Sequence, residues 1–243
     1  MIGIIGYGFV GKAVKYGFQK VKCIISDPKY NDITVAEVCR KKPKVIFVCV
    51  PTPTDDTNYS CLTSVLDEIK ETNYRGIVVV KSTILPEYIE DYDVVYNPEF
   101  LSRKTFKKDF VRPPMLIIGG KKSKQLLSFY KKHSSVKTEN VFLTDIRTAS
   151  LLKYTMNCFY SLKITYMNSI FDVANELKID YKKFKKILSK HPWMGTSHFQ
   201  VPGPDGKRGF GGPCFPKDVK AFTKKYDMEL LTKVLELNQK YRK

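Results

Sequence analysis

At 243 residues, 43% of them hydrophobic and 27% charged, the chain is long enough for one large domain or two smaller ones with hydrophobic cores of their own. No run approaches the ~18 apolar residues of a membrane span, and the apolar N-terminus, MIGIIGYGFVGKAVK, lacks the basic leader of a signal peptide. A formal charge of +18 is of the size that marks nucleic-acid binders, but here it is mostly Lys in scattered pairs (Lys41-Lys42, Lys107-Lys108, Lys185-Lys186) and reads as a solvated surface able to attract an anionic substrate.

Near-continuous apolar runs predict buried strands at 2–5, 22–26, 45–50, 77–81, 94–97 and 115–119. Helical patterns fall between them at about 10–20, 34–40, 61–72 and 122–132. Strands alternating with helices predict an α/β first domain, residues 1–145, built on a doubly wound parallel sheet. The character changes near Asp145. From Arg147 to about Leu177 no Gly or Pro interrupts a helical repeat of apolar residues that includes Leu151, Met156, Phe159, Met167 and Phe171. Roughly thirty residues at ~1.5 Å each make a helix about 45 Å long. It is apolar around much of its circumference and therefore expected to be buried on more than one side. A helix over 181–190, a Gly/Pro-rich loop over 201–216 and a helical stretch from 217 onward complete a small helical second domain, residues 146–243.

Gly6-Tyr7-Gly8-Phe9-Val10-Gly11 closes the first predicted strand and opens the first predicted helix, the context in which GxGxxG binds a dinucleotide in a Rossmann-type fold. Gly6 would make the tight turn and Gly8 would let the backbone approach a pyrophosphate. Gly11 would let helix and sheet pack closely, with the phosphates at the helix N-terminus. Asp27 ends the second strand, where a carboxylate binds the adenosine ribose and repels the 2′-phosphate of NADP; Lys29 beside it partly offsets that charge. NAD is the expected cofactor. The six cysteines show no CxxC pair and no His at ligand spacing, which points to a reducing cytoplasm and away from a disulfide framework or a metal site. Cys23, Cys49 and Cys158 read as small buried hydrophobes. Cys214 does not. It lies in a polar loop, Gly209-Phe210-Gly211-Gly212-Pro213-Cys214-Phe215-Pro216-Lys217-Asp218, beside groups that can activate a thiol and carry a proton.

GFGGPCFPKD resembles the active-site motif of the UDP-glucose/GDP-mannose dehydrogenase family. The resemblance extends over nearly the whole chain: GxGxxG at 6–11, Val50-Pro51-Thr52-Pro53, Lys81-Ser82-Thr83, Asn97-Pro98-Glu99-Phe100-Leu101, and Lys153 with Asn157. It implies a four-electron, NAD-dependent oxidation at C6 of a nucleotide sugar, with UDP-glucose to UDP-glucuronate as the default. The resemblance makes Cys214 the nucleophile, passing through a thiohemiacetal and a thioester. Lys153 and Asn157, four apart on one helical face, would hold the C6 oxygen and its developing charge. Asp218, Glu99 and Thr83 would position or deprotonate the hydrolytic water. The cofactor site implied by the resemblance takes Tyr7, Phe9, Val10 and Lys29 with the three glycines and Asp27. Val50, Pro51, Thr52, Ser82, Thr83 and Lys217 complete it. Phe100, Leu101, Phe210 and Gly211 would join Glu99, Lys153, Asn157 and Cys214 around the substrate, with Lys207 or Arg208 near its phosphates. A homodimer through the helix at 147–177 is expected, with no nucleic-acid or membrane partner.

Two features depart from the family's pattern. Its members carry Glu four residues after the Glu of NPEFL, whereas this chain has Arg103; that carboxylate's role would be lost or shared with Glu99, and Arg103 would instead meet a substrate phosphate. The sequence also stops at Lys243, where the family continues into another α/β domain over the nucleotide, either as a truncation or as a minimal form. Two other readings stay open. One is a catalytically impaired binder of NAD and a nucleotide sugar; the other is a two-electron β-hydroxyacid dehydrogenase, in whose chemistry Cys214 would have no part.

Overall fold

The structure is a computed structural model describing residues 1–52 and 59–243. These divide into two compact units, one of residues 1–52 and 59–153 and the other Tyr154–Lys243.

In the first unit, β1 (Ile2–Ile5), β2 (Cys23–Ser26), β3 (Val45–Val48), β4 (Ile77–Val80), β5 (Val94–Tyr96), β6 (Leu116–Gly119) and β7 (Val141–Thr144) form one sheet in the order β2-β1-β3-β4-β5-β6-β7. β1, β3 and β6 are buried along their whole length, so each reads as an apolar run without alternation. Helices α1 (Phe9–Gly17), α2 (Val35–Arg40), α3 (Ser60–Glu71), α4 (Phe106–Val111) and α5 (Ser123–His133) accompany the sheet. A cluster around Phe18, with Phe47 at 5.3 Å and Tyr130 at 5.2 Å between ring centres, belongs to its core. At α2 the sequence shows its own start signal: the Thr34 hydroxyl accepts from the Glu37 N–H while the Glu37 carboxylate accepts from the Thr34 N–H.

The winding departs from the all-parallel expectation at one place. β5 and β6 pair antiparallel, through Tyr96 and Gly119, while every other neighbouring pair is parallel. The segment joining them carries α4, which packs on α1, so the chain re-enters the sheet from the opposite end. β7 and α4 were not legible as elements. β7 leaves Phe142 and Leu143 exposed and shows no buried run, and α4 buries only Phe110.

Helix α6 (Ile146–Glu176) has 31 residues, starts in the first unit and continues in the second. There it is followed by α7 (Tyr181–Leu188), α8 (Phe215–Tyr226) and α9 (Glu229–Arg242). Met167 and Ala174 of α6 pack with Tyr181, Phe199 and Val201 in the second unit's core. The expected single helical stretch from 217 is two helices that begin two residues earlier. Asp227 adopts a left-handed backbone (φ +47°) and ends α8, a turn that an aspartate tolerates without any Gly or Pro to announce it. No helix among the described residues is long and apolar enough to cross a membrane.

Candidate active site

The cofactor side of the first unit is built by close backbone approach. Gly6, immediately after β1, has φ +87°, and a Cβ there would lie 2.8 Å from the Cys49 carbonyl group. Gly8 caps α1; a Cβ there would meet nothing within 4 Å. The first turn of α1 has no acidic residue and no side-chain cap, so no side chain of that turn competes for its N–H groups. Gly11 packs on the Gly6 carbonyl oxygen. Asp27 follows β2 and reaches back: Oδ2 accepts from the Tyr7 N–H at 2.5 Å and Oδ1 from the Lys29 N–H at 2.8 Å. Val10 packs against the core, and Phe9 lies under Arg103, whose guanidinium carbon is 5.7 Å from the ring centre. Val50 is buried, Pro51 exposed and Thr52 half-buried; Pro53 lies outside the described residues. Ser82 Oγ donates to the Val50 carbonyl oxygen at 2.5 Å, and Thr83 is buried beside it in sequence.

In the same unit, the Lys153 ammonium donates to the Glu99 carbonyl oxygen at 2.5 Å. It lies 3.7 Å from Glu99 Oε1 and 5.0 Å from the centre of the Phe100 ring. Glu99 Oε2 accepts from the Leu101 N–H at 2.6 Å, folding the carboxylate back over its own loop. Leu101 packs against the core. Lys81, quoted in the sequence only as part of KST, is 3% exposed, and its ammonium donates to Asn97 Oδ1.

In the second unit, Cys214 is half-buried and occupies the N-cap position of α8. One turn on, Asp218 is 1% exposed and takes one donor on each oxygen: Asn157 Nδ2 at 2.6 Å and Lys217 Nζ at 2.5 Å. Cys158, beside Asn157, is pushed up to about 12 by burial and then by the Asp218 charge, so it stays a thiol. Two asparagines unmarked in the sequence pin the loop leading to Cys214. Asn168 of α6 accepts from the Gly209 N–H at 3.1 Å. Asn238 of α9 accepts from the Phe210 N–H at 2.7 Å and donates to its carbonyl oxygen at 3.0 Å. Phe210 is 2% exposed, and Gly211 lies against the Arg242 guanidinium. Arg208 is largely engaged within the unit, donating to Asp172 and to the Asn168 carbonyl oxygen at 2.8 and 2.9 Å and lying 4.5 Å from the Tyr241 ring centre. Lys207 is exposed.

No group of three or more His, Cys, Asp or Glu capable of holding a metal occurs among the described residues. The open space at Gly8, the uncapped start of α1 and the placement of Asp27 fit a dinucleotide.

Comparison with known proteins agrees. Residues 21–136 match the model of the UDP-glucose/GDP-mannose dehydrogenase family, NAD binding domain, and residues 147–240 match the model of the same family's central domain. The GDP-mannose 6-dehydrogenase of Pseudomonas syringae pv. tomato is 31% identical over 205 residues, 73% of this chain and 45% of that protein. The UDP-glucose 6-dehydrogenase of Rickettsia bellii is 29% identical over 198 residues, 74% of this chain and 44% of that protein. The chain thus spans less than half the length of these relatives. The solved structure of a UDP-glucose dehydrogenase from Pyrobaculum islandicum superposes with a TM-score of 0.83 at 22% identity, covering 98% of this chain and 68% of that one, which is a likeness of fold.

The glycine geometry separates folding from binding. Gly8→Val should still fold, losing about 1 kcal/mol to the poorer N-cap, but lose roughly tenfold or more in NAD affinity, since a charge-assisted hydrogen bond is worth about 1.5–3 kcal/mol. Gly11→Ala, which must push against the Gly6 carbonyl, should lower stability by about 1–3 kcal/mol. Calorimetry with NAD and thermal melts would check both.

Proposed function

We propose that this chain, which belongs to the UDP-glucose/GDP-mannose dehydrogenase family, oxidises C6 of a nucleotide sugar from alcohol to carboxylate, with UDP-glucose as the default substrate. Residues 1–145 serve as the NAD-binding domain and 146–243 as the helical catalytic part. The observation that carries the reading is Cys214 at the start of α8 with Asp218 one turn on, held by Asn157 and Lys217.

NAD, when bound, supplies the hydride acceptor for both oxidations. The turn at 6–11, Asp27 with its neighbour Lys29, residues 50–52, Ser82, Thr83 and Lys217 would hold it. Lys153, an ammonium buried to 4% exposure, would stabilise the charge that gathers on the C6 oxygen, with the Asn157 amide one turn along α6. Between the oxidations Cys214 Sγ adds to the aldehyde carbon, and the start of α8 supplies partial positive charge beside that centre. After the second, water attacks the thioester carbon, the carbon–sulfur bond breaks, the acid leaves and sulfur is regenerated. Glu99, Asp218 and Thr83 would be the groups to orient that water, with Glu99 the one whose carboxylate has an acceptor site left for its proton. A cytoplasmic location belongs to the same reading, and the unpaired thiols at Cys23, Cys39, Cys49, Cys61 and Cys158 are compatible with it.

With limiting UDP-glucose and excess NAD, two reduced cofactors should form per sugar, and Cys214→Ser should abolish acid formation. One reduced cofactor per sugar, unaffected by Cys214→Ser, would instead mark a two-electron dehydrogenase. Silence with UDP-glucose, GDP-mannose and UDP-N-acetyl sugars, with NAD still bound, would mark an impaired binder.

Arg103, exposed and stacked on Phe9, would meet a substrate phosphate. Arg103→Glu should then raise the substrate KM roughly tenfold, the scale of one charged contact; an unchanged KM removes the role.

A homodimer belongs to the same proposal. Leu152, Phe159, Tyr166 and Val173 are exposed and recur every seven residues on α6, the spacing of a helix–helix seam. Light scattering at micromolar concentration should give twice the chain mass, and Phe159→Asp should halve it; a wild-type monomer would refute the dimer.

A further inference from the structure

A lysine ammonium lies in the interior of the first unit at the end of β4. Lys81 is 3% exposed, and no carboxylate lies within salt-bridge distance of it among the described residues. Such a charge is costly to bury, and methionine would fill the same volume without that cost. Its hydrogen bond is to Asn97 Oδ1 at 2.9 Å. The same oxygen accepts from the Tyr130 hydroxyl at 2.8 Å, and Asn97 Nδ2 donates to the Ile117 carbonyl oxygen at 2.6 Å. Asn97 is fully buried, and its side chain therefore links β4, α5 and β6.

That link lies where the sheet is weakest. β5 and β6 meet antiparallel at Tyr96 and Gly119, and the next residue along β5 is Asn97. The Asn97 amide supplies across this seam the hydrogen bond to β6 that a longer ladder would have supplied. Immediately beyond it run Pro98, Glu99 and Phe100. A cavity of about 20 Å³, room for one water, is lined by Lys81 and by this loop's Glu99 and Phe100, together with Phe110 and Tyr130.

We propose that Lys81 is a positioning residue for the segment 97–101: acting through Asn97, its buried ammonium fixes the course of that segment and so the carboxylate and carbonyl oxygens of Glu99. The catalytic consequence rests on the dehydrogenase reading above; the structural one does not. Without the Lys81 donor, Asn97 keeps only Tyr130 on Oδ1 and Ile117 on Nδ2, and its amide is held less firmly. Glu99, two residues on, then loses the fixed placement of the carbonyl that receives Lys153.

The same burial predicts a pH signature. Lys81 is pulled down to about 8, chiefly by desolvation, with Cys49 and Glu99 pushing up and Lys153 pushing down. Of the other charged or titratable side chains around it, Tyr130 on α5 keeps its proton because burial raises it, and Asp109 on α4 lines the same cavity. The unfolded chain holds the Lys81 proton to about 10.5, so between about pH 8 and 10.5 it binds more protons than the folded one. The charge's penalty is therefore full below pH 8 and is relieved as pH rises through that window.

The test is hydrogen–deuterium exchange on the full chain, comparing wild type with Lys81→Met and with Lys81→Gln, which keeps a donor. Lys81→Met should speed exchange at the Glu99, Phe100 and Leu101 amides by about tenfold to a hundredfold, the scale of one charged hydrogen bond, while β1 and β3 keep wild-type protection. Lys81→Gln should restore most of the difference, and Tyr130→Phe, which removes the other donor to Asn97, should loosen the same amides if Lys81→Met does not fold. In parallel, the stability of wild type relative to Lys81→Met should rise from about pH 8 to about 10.5. If exchange at 99–101 is unchanged, or rises only in step with the whole sheet, the positioning role is overturned. On the dehydrogenase reading Lys81→Met also lowers kcat at least tenfold with the NAD KM unchanged. Absence of wild-type turnover would count against that reading alone, because the exchange result stands independently of it.

Discussion

Two backbones pass each other at Gly6 too closely for any side chain, and the cofactor side of the first unit depends on that approach. β1 and β3 end together there, with Gly6 against the Cys49 carbonyl group. After the turn, Gly11 brings α1 down onto the Gly6 carbonyl oxygen. Between those two contacts Gly8 is left facing open space at the start of a helix whose N–H groups have no acidic neighbour. Asp27 closes the arrangement from the other side by accepting from the Tyr7 N–H. The backbone arrangement that suits a dinucleotide's phosphates thus follows from packing constraints, before any charged side chain is invoked.

Buried amides organise much of the rest. Asn97 spans the antiparallel seam, Asn157 orients one oxygen of Asp218, and Asn168 with Asn238 holds the backbone of Gly209 and Phe210. Each offers a donor and an acceptor on a short stem, which suits loops whose peptide groups have no ladder to join. Loops on both units thereby carry the candidate side chains on fixed backbone. The arrangement also explains Arg208. Its guanidinium, set against Asp172 and the Tyr241 ring, helps hold the loop's approach, so any phosphate it meets must compete with those partners.

Sequence pattern revealed six of the seven strands and the motifs, because both are local. An apolar strand, three glycines and an aspartate at set intervals are visible one after another in the chain. Cys214 stood out because a lone thiol among glycines and prolines is unlike a core residue. What stayed hidden was pairwise. Lys81 closes a Val-Val-Val run at the end of an expected buried strand, but what its ammonium bonds there depends on Asn97 and Tyr130, distant in sequence. Asn168 and Asn238 sit in helices where an asparagine reads as solvent-facing. The turn at Asp227 carries neither Gly nor Pro, and β7 is a strand with half-exposed Phe142 and Leu143 and no buried run.

The two candidate carboxylates are not equivalent, and their hydrogen bonds say how they differ. Both oxygens of Asp218 are taken, one by an amide and one by an ammonium, at 1% exposure. Such a group is suited to holding Asn157 and Lys217 in place; to accept a proton it would first have to release one of them. Glu99 is bound on one oxygen only, to the Leu101 N–H, while Lys153 stands 3.7 Å from the other, beyond a hydrogen bond. Oε1 therefore has an unfilled acceptor site among the described residues, next to an ammonium that can support negative charge. Of the two carboxylates, Glu99 has the geometry to take hold of a water without breaking what holds it, and Asp218 has the geometry of a fixed anchor.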